Sequence, residues 1–184
     1  MPGIQAVTKA SLIGFLAASP SVLARSGTED ADLCLQAAAV AGEDTGVPYD
    51  VLLAISLVET GRDGMPWPWT VNLGGEGHWP ETAEEAAILV ETALQSGRTN
   101  VDIGCFQLNL RWHAAAFQSV EDMLDPTRNA TYAAEFLAEK FAETGDWPAA
   151  AAAYHSETPD LAEIYQAKFE TTWAALTGEG SATP

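Results

Sequence analysis

The sequence predicts a mainly helical α+β fold, a single domain in which a small ribbon of two or three strands lies beside the helices. Several stretches place apolar residues at helical spacing between capping or proline starts and glycine stops. Two stretches, Trp69–Leu73 and Thr99–Ile103, alternate apolar and polar residues as half-buried strands do. The length of 184 residues, with 47% hydrophobic and 18% charged residues, suits one domain with a substantial core.

Residues 1–24 have the features of a secretory signal peptide. A single basic residue precedes the apolar run Ala10–Ala18, and small residues lead to an expected cleavage site after Ala24. The run is too short to span a bilayer stably, and no other stretch reaches membrane length. The alternative is an apolar N-terminus that stays on the chain. We expect an exported domain at residues 25–178, without a membrane span, and a disordered tail at 179–184.

Acidic residues strongly outnumber basic ones, 26 against 8, for a formal net charge of −18. This charge opposes binding to nucleic acid or to anionic lipid. The acidic residues are spread along the chain, which favours a solvated, solubilising surface over a docking site for a cationic partner. We therefore expect no nucleic-acid partner.

The chain contains two cysteines, Cys34 and Cys105. In an exported protein an even number favours a disulfide. The alternative is a metal site that also uses His78, His113 and His155. No CxxC, HxxxH or HExxH spacing supports that alternative, so we expect neither a metal nor a cofactor.

The first two helices are predicted from their ends. One begins near Thr28, where acidic residues occupy the first turn, and ends at Gly46. Its buried stripe consists mainly of alanines, which allow a neighbouring helix to approach closely. The central helix follows Pro48, spans Val51–Arg62 and is ended by glycines and prolines up to Pro68.

The remaining helices lie between and after the predicted strands. The two strands enclose a helix within Pro80–Ser96, and Gly97 ends it. Each later helix is opened by a capping residue or a proline. These helices begin at Ser119, at Asp125 (ending at Thr144), at Asp146 (ending at Ser156) and at Thr158 (ending near Leu176).

The loop that follows the central helix is rich in tryptophan. Trp67, Trp69 and Trp79 lie near the glycine-rich turn Leu73–Gly77. They could fill the core, or they could offer flat apolar faces on which sugar rings stack. We favour the core for at least one of them.

Glu59 is the strongest candidate for chemistry. It ends the central helix, in which Ser56 is the only polar side chain between Val51 and Glu59. A carboxyl group at such a position is costly unless it is paired, exposed in a cleft or protonated. Two interpretations stay open: Glu59 points to water or pairs with Arg62, or it is kept neutral by desolvation and donates a proton as a general acid.

Three separated segments each end an apolar element with polar residues that a packed core would not need. They are Glu59-Thr60, Gln107-x-Asn109 and Tyr154-His155-Ser156. In order and spacing they resemble the lysozyme-like lytic transglycosylases of bacteria, the soluble-lytic-transglycosylase domain family. The resemblance covers roughly residues 33–176.

The family's three motifs have counterparts here. Its Glu-Ser motif appears as Glu59-Thr60, its Gly-Leu-Met-Gln-Ile motif as Gly104–Leu108, and its Ala-Tyr-Asn-Ala-Gly motif as Ala153–Glu157. Thr60 in place of Ser keeps a hydroxyl group. His155 and Ser156 replace Asn and Ala, so only the tyrosine of the third motif is carried over.

The resemblance implies a lysozyme-like fold with the ribbon beside an active-site cleft. It also implies cleavage of the MurNAc-β-1,4-GlcNAc bond of peptidoglycan with formation of 1,6-anhydro-MurNAc ends. In that reaction one glutamate, here Glu59, acts first as acid and then as base. Thr60, Gln107, Asn109 and Tyr154 would bind the substrate, with Tyr154 orienting the Glu59 carboxyl group.

Cys105 lies inside the second motif, which suggests a bridge from Cys34 to the floor of the site. That form is similar to the branch of small exported enzymes that open the wall for flagella or secretion machines. The resemblance thus implies a periplasmic monomer with a flagellar or secretion-system partner. Three alternatives stay open: a hydrolytic muramidase that admits water to the same site, a non-catalytic wall-binding protein, and a small metal-dependent amidase.

Overall fold

A computed structural model describes residues 27–178, and both the proposed signal peptide and the tail at 179–184 lie outside this range. The described chain forms α-helices, one 3-10 turn at Ala114–Ala116 and a small sheet. The helices are α1 (Gly27–Thr45), α2 (Tyr49–Thr60), α3 (Ala83–Gln95), α4 (Leu110–His113), α5 (Val120–Leu124), α6 (Pro126–Thr144), α7 (Trp147–His155) and α8 (Pro159–Thr177). The predicted mainly helical fold is confirmed. No helix in this range is long and apolar enough to cross a membrane.

The sheet is antiparallel, with four strands in the order β2-β1-β3-β4. The strands are β1 (Val71–Leu73), β2 (Gly77–His78), β3 (Val101–Ile103) and β4 (Leu108–Asn109). The two predicted strands correspond to β1 and β3, which pair with each other. The sheet also contains β2 and β4. The sequence did not predict these two strands, because each is two residues long and too short to show alternation.

Close packing of small residues joins α1 to α6. The predicted alanine stripe of α1 is buried, and so is a similar stripe of α6. The buried residues are Ala37, Ala38 and Ala41 of α1, and Ala130, Ala133, Ala134 and Leu137 of α6. The predicted disulfide is present: Cys34 of α1 is bonded to Cys105 in the turn after β3. The bridge therefore fixes the helical layer to the sheet.

The apolar helix α2 packs against both α1 and α8. Its C-terminal end is held by buried hydroxyl groups: Ser56 Oγ donates to the Cys105 carbonyl at 2.9 Å, and Thr60 Oγ1 donates to the Ser56 carbonyl at 2.9 Å. The helix ends at Gly61, where a Cβ atom would collide with the Leu57 carbonyl oxygen. These contacts hold the last turn of α2, which carries Glu59, against the turn after β3.

A buried asparagine on α6 organises that turn. Asn129 Oδ1 accepts a hydrogen bond from the Phe106 amide at 2.9 Å, and Nδ2 donates to the carbonyls of Ile103 at 3.2 Å and Met123 at 2.9 Å. Gly104 has a φ of 84°, and a Cβ at this position would collide with the Asn129 side chain. Glycine is therefore required here by conformation and by space.

We expect Asn129→Ala to lower the free energy of unfolding by about 3 kcal/mol. The substitution removes the side-chain partner of three buried backbone groups. Each unsatisfied group costs about 1–3 kcal/mol, and relaxation of the surrounding structure offsets part of this cost. Urea unfolding followed by circular dichroism measures the change. Glu135→Gln on the exposed side of the same helix should stay within about 0.5 kcal/mol of wild type. Equal stabilities of the two variants would contradict the role given to Asn129.

Candidate active site

A cleft of about 740 Å³ lies among α2, the sheet, α4, α6 and α7. It receives a side chain from each of the three segments singled out in the sequence: Glu59 from α2, Gln107 and Asn109 from the second, and Tyr154, His155 and Ser156 from α7 and its end. Thr60 does not line it. Thr60 is 2% exposed, donates to the Ser56 carbonyl and accepts from the Trp67 amide at 3.0 Å. Its hydroxyl therefore holds backbone, and we assign it no sugar contact.

Glu59 lies at the C-terminal end of α2, and its side chain is only 14% exposed. His155 Nδ1 lies 3.8 Å from Glu59 Oε1, close enough for an ion pair when the imidazole is protonated. Arg62, the partner required by the alternative interpretation, instead places its guanidinium 5.6 Å from the centre of the Trp67 ring. The carboxyl group is thus largely buried, and it lines the cleft.

Two tyrosines flank this carboxyl group: Tyr154, which is partly buried, and Tyr165, which is buried. Tyr154 donates its hydroxyl hydrogen to the Phe106 carbonyl at 2.7 Å, so its single proton does not point at Glu59. Tyr165 of α8 stacks on His155, with ring centres 4.3 Å apart, and its hydroxyl makes no hydrogen bond of standard geometry within residues 27–178. Burial first, and then the Glu59 charge, raise the pKa of both tyrosines well above the ordinary value. Both therefore remain neutral phenols beside Glu59.

Sequence reasoning did not select Tyr165. It belongs to the apolar stripe of the last helix, where a tyrosine is indistinguishable from a core residue. Its position beside Glu59 arises from the packing of α8 against α2 and α7.

Gln107 is held in an unusual backbone conformation, with a φ of 45°. Its Nε2 donates to the carbonyls of Thr70 at 3.0 Å and Gly104 at 3.1 Å. Both amide hydrogens are therefore used to satisfy the turn. The side-chain oxygen of Gln107 is the group left to meet a ligand in the cleft.

Asn109 is also engaged within the protein. Its Nδ2 donates to Asp102 Oδ1 at 2.7 Å and to Asn100 Oδ1 at 2.9 Å, while its Oδ1 accepts from the Arg111 amide at 3.0 Å and caps α4. The predicted direct sugar contact through Asn109 would have to share these atoms. The clearest effect of the Asn109 side chain is to hold the Asp102 carboxylate, which lines the cleft.

Asp102 is a second carboxyl group in the cleft that sequence reasoning did not select. Burial raises its pKa above the ordinary value of 3.8, and the hydrogen bond from Asn109 opposes this increase. The negative charge of Glu59 raises the pKa further, and His155 lowers it. The alternating pattern of this short strand predicts that Asp102 faces away from the core. It does not indicate that Asp102 belongs to a functional site.

One wall of the cleft is aromatic and includes Trp112, which is 70% exposed. The Arg111 guanidinium lies 4.9 Å from its ring centre. None of the three tryptophans considered in the sequence lines this cleft. Trp69 is 8% exposed in the core, as predicted for at least one of them.

His113 also lies on the aromatic wall, where its Nδ1 is 3.0 Å from the Tyr132 hydroxyl and burial lowers its pKa. Within residues 27–178 no group of three or more His, Cys, Asp or Glu side chains is arranged to hold a metal ion.

Comparison with known families identifies the segment that carries most of this cleft. Residues 83–171 match the family model described as Transglycosylase SLT domain. The match runs from α3 into α8 and includes Gln107, Asn109 and Tyr154, whereas Glu59 lies upstream of it. No curated protein and no solved structure matches the chain. Residues 83–171 of this chain therefore form a Transglycosylase SLT domain, and the helical fold with its small sheet is consistent with a lytic transglycosylase of the lysozyme-like superfamily.

Proposed function

We propose that the protein is a peptidoglycan lytic transglycosylase that cleaves the MurNAc-β-1,4-GlcNAc bond and leaves 1,6-anhydro-MurNAc ends. The observation that carries this proposal is the position of Glu59. Its carboxyl group is 14% exposed and opens into a cleft that also contains the family's glutamine and tyrosine, here Gln107 and Tyr154. A nearly desolvated carboxylic acid in a polar groove suits proton donation to a glycosidic oxygen.

In the first step Glu59 protonates the bridging oxygen between the two sugars. The bond from that oxygen to the anomeric carbon of MurNAc breaks, and positive charge develops on the sugar ring. The neutral tyrosines beside Glu59 add no charge of their own, and they keep water from one side of the carboxyl group.

In the second step the Glu59 carboxylate accepts the proton of the C6 hydroxyl of the same MurNAc residue. The C6 oxygen then bonds to the anomeric carbon and closes the anhydro ring. This step needs no water and regenerates protonated Glu59. The Gln107 side-chain oxygen is placed to accept a hydrogen bond from an N-acetyl or hydroxyl group of the glycan.

Trp112 is expected to bind a sugar of the glycan strand through its exposed ring. We expect Trp112→Ala to raise KM about tenfold with kcat changed less than about twofold, because loss of a stacking surface of roughly 1–2 kcal/mol weakens binding uniformly. Initial rates on soluble glycan strands of defined length measure both constants. Trp79→Ala is the control, because Trp79 is 43% exposed but lies outside the cleft. An equal effect on both variants would contradict the assignment.

Mass spectrometry of muropeptides released from purified sacculi tests the proposed function. Fragments with anhydro ends support it. Fragments with reducing MurNAc ends would instead favour the hydrolytic muramidase, in which water enters the same site. No released fragments at all would favour a non-catalytic wall-binding protein.

The family acts on peptidoglycan, which lies outside the cytoplasm. We propose a periplasmic location reached by way of the signal peptide at residues 1–24, followed by a domain at 25–178. The Cys34–Cys105 disulfide is compatible with an oxidising compartment. The role at a flagellar or secretion apparatus, and the monomeric state, remain part of this proposal.

A further inference from the structure

A second groove lies among α1, α3, α5 and the start of α6, and it shares no lining residue with the active-site cleft. Its volume is about 670 Å³. Most of its lining is apolar and includes Leu33 from α1, Trp69 from the loop before β1, Ile88 from α3 and Leu124 from α5. Trp69 and Leu124 are buried, whereas Ile88 is 63% exposed. The groove therefore joins the core to an apolar side chain that faces solvent.

One face of α3 forms a wall of this groove. Four residues of α3 that line the groove follow the i, i+3, i+4, i+7 spacing of a single helical face: Glu84, Ala87, Ile88 and Glu91. The helix is held in the fold by other side chains, since Ala86, Val90 and Ala93 are buried and α3 packs against α5. Ile88 is thus an apolar residue between two acids on a face that the fold itself does not cover.

Four carboxylates line the same groove, and no Lys or Arg of residues 27–178 does so. They come from α3, from α5 and from the residue that caps α6, and all are exposed: Glu84, Glu91, Glu121 and Asp125. Exposed carboxylates are ionised at neutral pH. The acidic residues look evenly spread along the sequence, but the fold collects these four around one apolar groove.

The charge of the groove selects its occupant. A second copy of this chain would bring its own net charge of −18 to the acidic rim, and an anionic membrane surface would also be repelled. A purely apolar segment would fill the groove but would leave the carboxylates without partners. A helix with apolar side chains at i, i+3, i+4 and i+7 and with Lys or Arg beside them complements both the shape and the charge.

We propose that this groove is the docking site for a cationic amphipathic segment of a protein partner. Apolar side chains of that segment insert between α3 and α5, and its Lys or Arg residues lie beside the four carboxylates. The inference goes beyond the proposed function, because none of the residues assigned to chemistry lines this groove. A partner docked there fixes the position of the protein while the lining of the cleft stays free for glycan.

The test measures binding of a synthetic leucine–lysine peptide to the full chain at about 0.15 M salt, where long-range attraction between charges is screened. The peptide has leucine at i, i+3, i+4 and i+7 and lysine at the other positions. NMR titration gives both the site and the Kd. We expect shifts concentrated at the Ile88 amide and the Trp69 indole, with a Kd on the order of 10 μM. Shifts confined to the active-site cleft would overturn the proposal.

Two matched peptides separate the apolar and the charged contributions. One replaces every leucine with serine and keeps the charge, and the other replaces every lysine with glutamate and keeps the apolar pattern. Each should bind at least about tenfold more weakly than the leucine–lysine peptide. Equal binding of the serine peptide would mean attraction to net charge alone, and equal binding of the glutamate peptide would remove charge complementarity. Either result overturns the proposal.

Variants of α3 locate the contact. Ile88→Ser leaves the charge unchanged and should raise the Kd of the leucine–lysine peptide about tenfold. Glu84→Gln/Glu91→Gln should also raise it about tenfold. The matched control is Glu163→Gln/Glu170→Gln on α8, which neutralises two exposed glutamates at the same spacing outside the groove. The control should stay within about twofold of wild type, and equal effects of the two double variants would overturn the proposal.

Activity and self-association complete the test. All these variants should release muropeptides at the wild-type rate, and a loss in the groove variants would make the groove part of the catalytic site and overturn a separate docking role. Wild type that binds the peptide at the groove but releases no muropeptide supports this inference and overturns the proposed function. Sedimentation at rising protein concentration tests the second copy as occupant. Self-association that Ile88→Ser abolishes would overturn the assignment to a cationic partner.

Discussion

Glu59→Gln is expected to stop release of anhydro-muropeptides, with a rate at least about 1,000-fold below that of wild type. Glutamine has nearly the same shape as the protonated acid but has no proton of suitable acidity to give to the bridging oxygen. It also lacks the basic oxygen that takes the C6 hydroxyl proton. Both proposed steps therefore fail together. The measurement is the rate of fragment release from sacculi, with products identified by mass spectrometry.

Folding of the Glu59→Gln variant should be unaffected, because glutamine has nearly the size and shape of the glutamate side chain and keeps an oxygen that can face the Tyr165 hydroxyl. Unchanged Tm and retained binding to sacculi would separate loss of chemistry from loss of structure. Glu157→Gln provides a carboxylate of the same cleft that is exposed and has no assigned role. Wild-type rates from Glu59→Gln would remove Glu59 from the mechanism.

The sequence predicted the part of the site that depends on local pattern and on motif order. Glu59 could be selected because it closes an apolar helix, where a carboxyl group needs a reason to be present. The second and third segments could be selected because polar residues follow apolar elements at the family's spacing. In the structure all three segments supply side chains to one cleft.

The individual roles were harder to predict, because polar side chains at turns have two uses. Thr60 and Asn109 hold backbone or a neighbouring side chain, and Gln107 uses its amide hydrogens in the same way. Each lies at a helix end or beside a turn, where backbone groups lose their regular partners and nearby side chains replace them. A sequence motif records that the residue type is needed there, but it does not tell whether backbone or sugar is its partner.

The residues that sequence reasoning missed are placed by tertiary structure. Asp102 joins the site through pairing with strands of two and three residues, and register in strands this short cannot be predicted from their pattern. Tyr165 reaches Glu59 through the packing of α8, and Trp112 through the one-turn helix α4. Asn129 is the same kind of case, since it lies on α6 but organises the turn at Gly104.

The disulfide, which the number of cysteines predicted, helps to fix the geometry of the site. Cys34 and Cys105 are both buried, on α1 and in the turn between β3 and β4. The same turn contains the Cys105 carbonyl that accepts from Ser56 of α2 and the Phe106 carbonyl that accepts from Tyr154 of α7. The bridge therefore stabilises the point at which the walls of the cleft meet.

We expect the double variant Cys34→Ala/Cys105→Ala to lose about 4 kcal/mol of unfolding free energy, because the bridge closes a loop with a sequence separation of 71. Urea unfolding of the variant and of wild type, each with and without reductant, measures this loss. Reduced wild type should approach the variant, while the variant itself should not respond to reductant. The variant should also lose activity at a lower temperature, since Glu59, Phe106 and Tyr154 depend on the same turn. A stability difference below about 1 kcal/mol would show that α1, α6 and Asn129 hold the turn without the bridge, and that the disulfide does not stabilise the site.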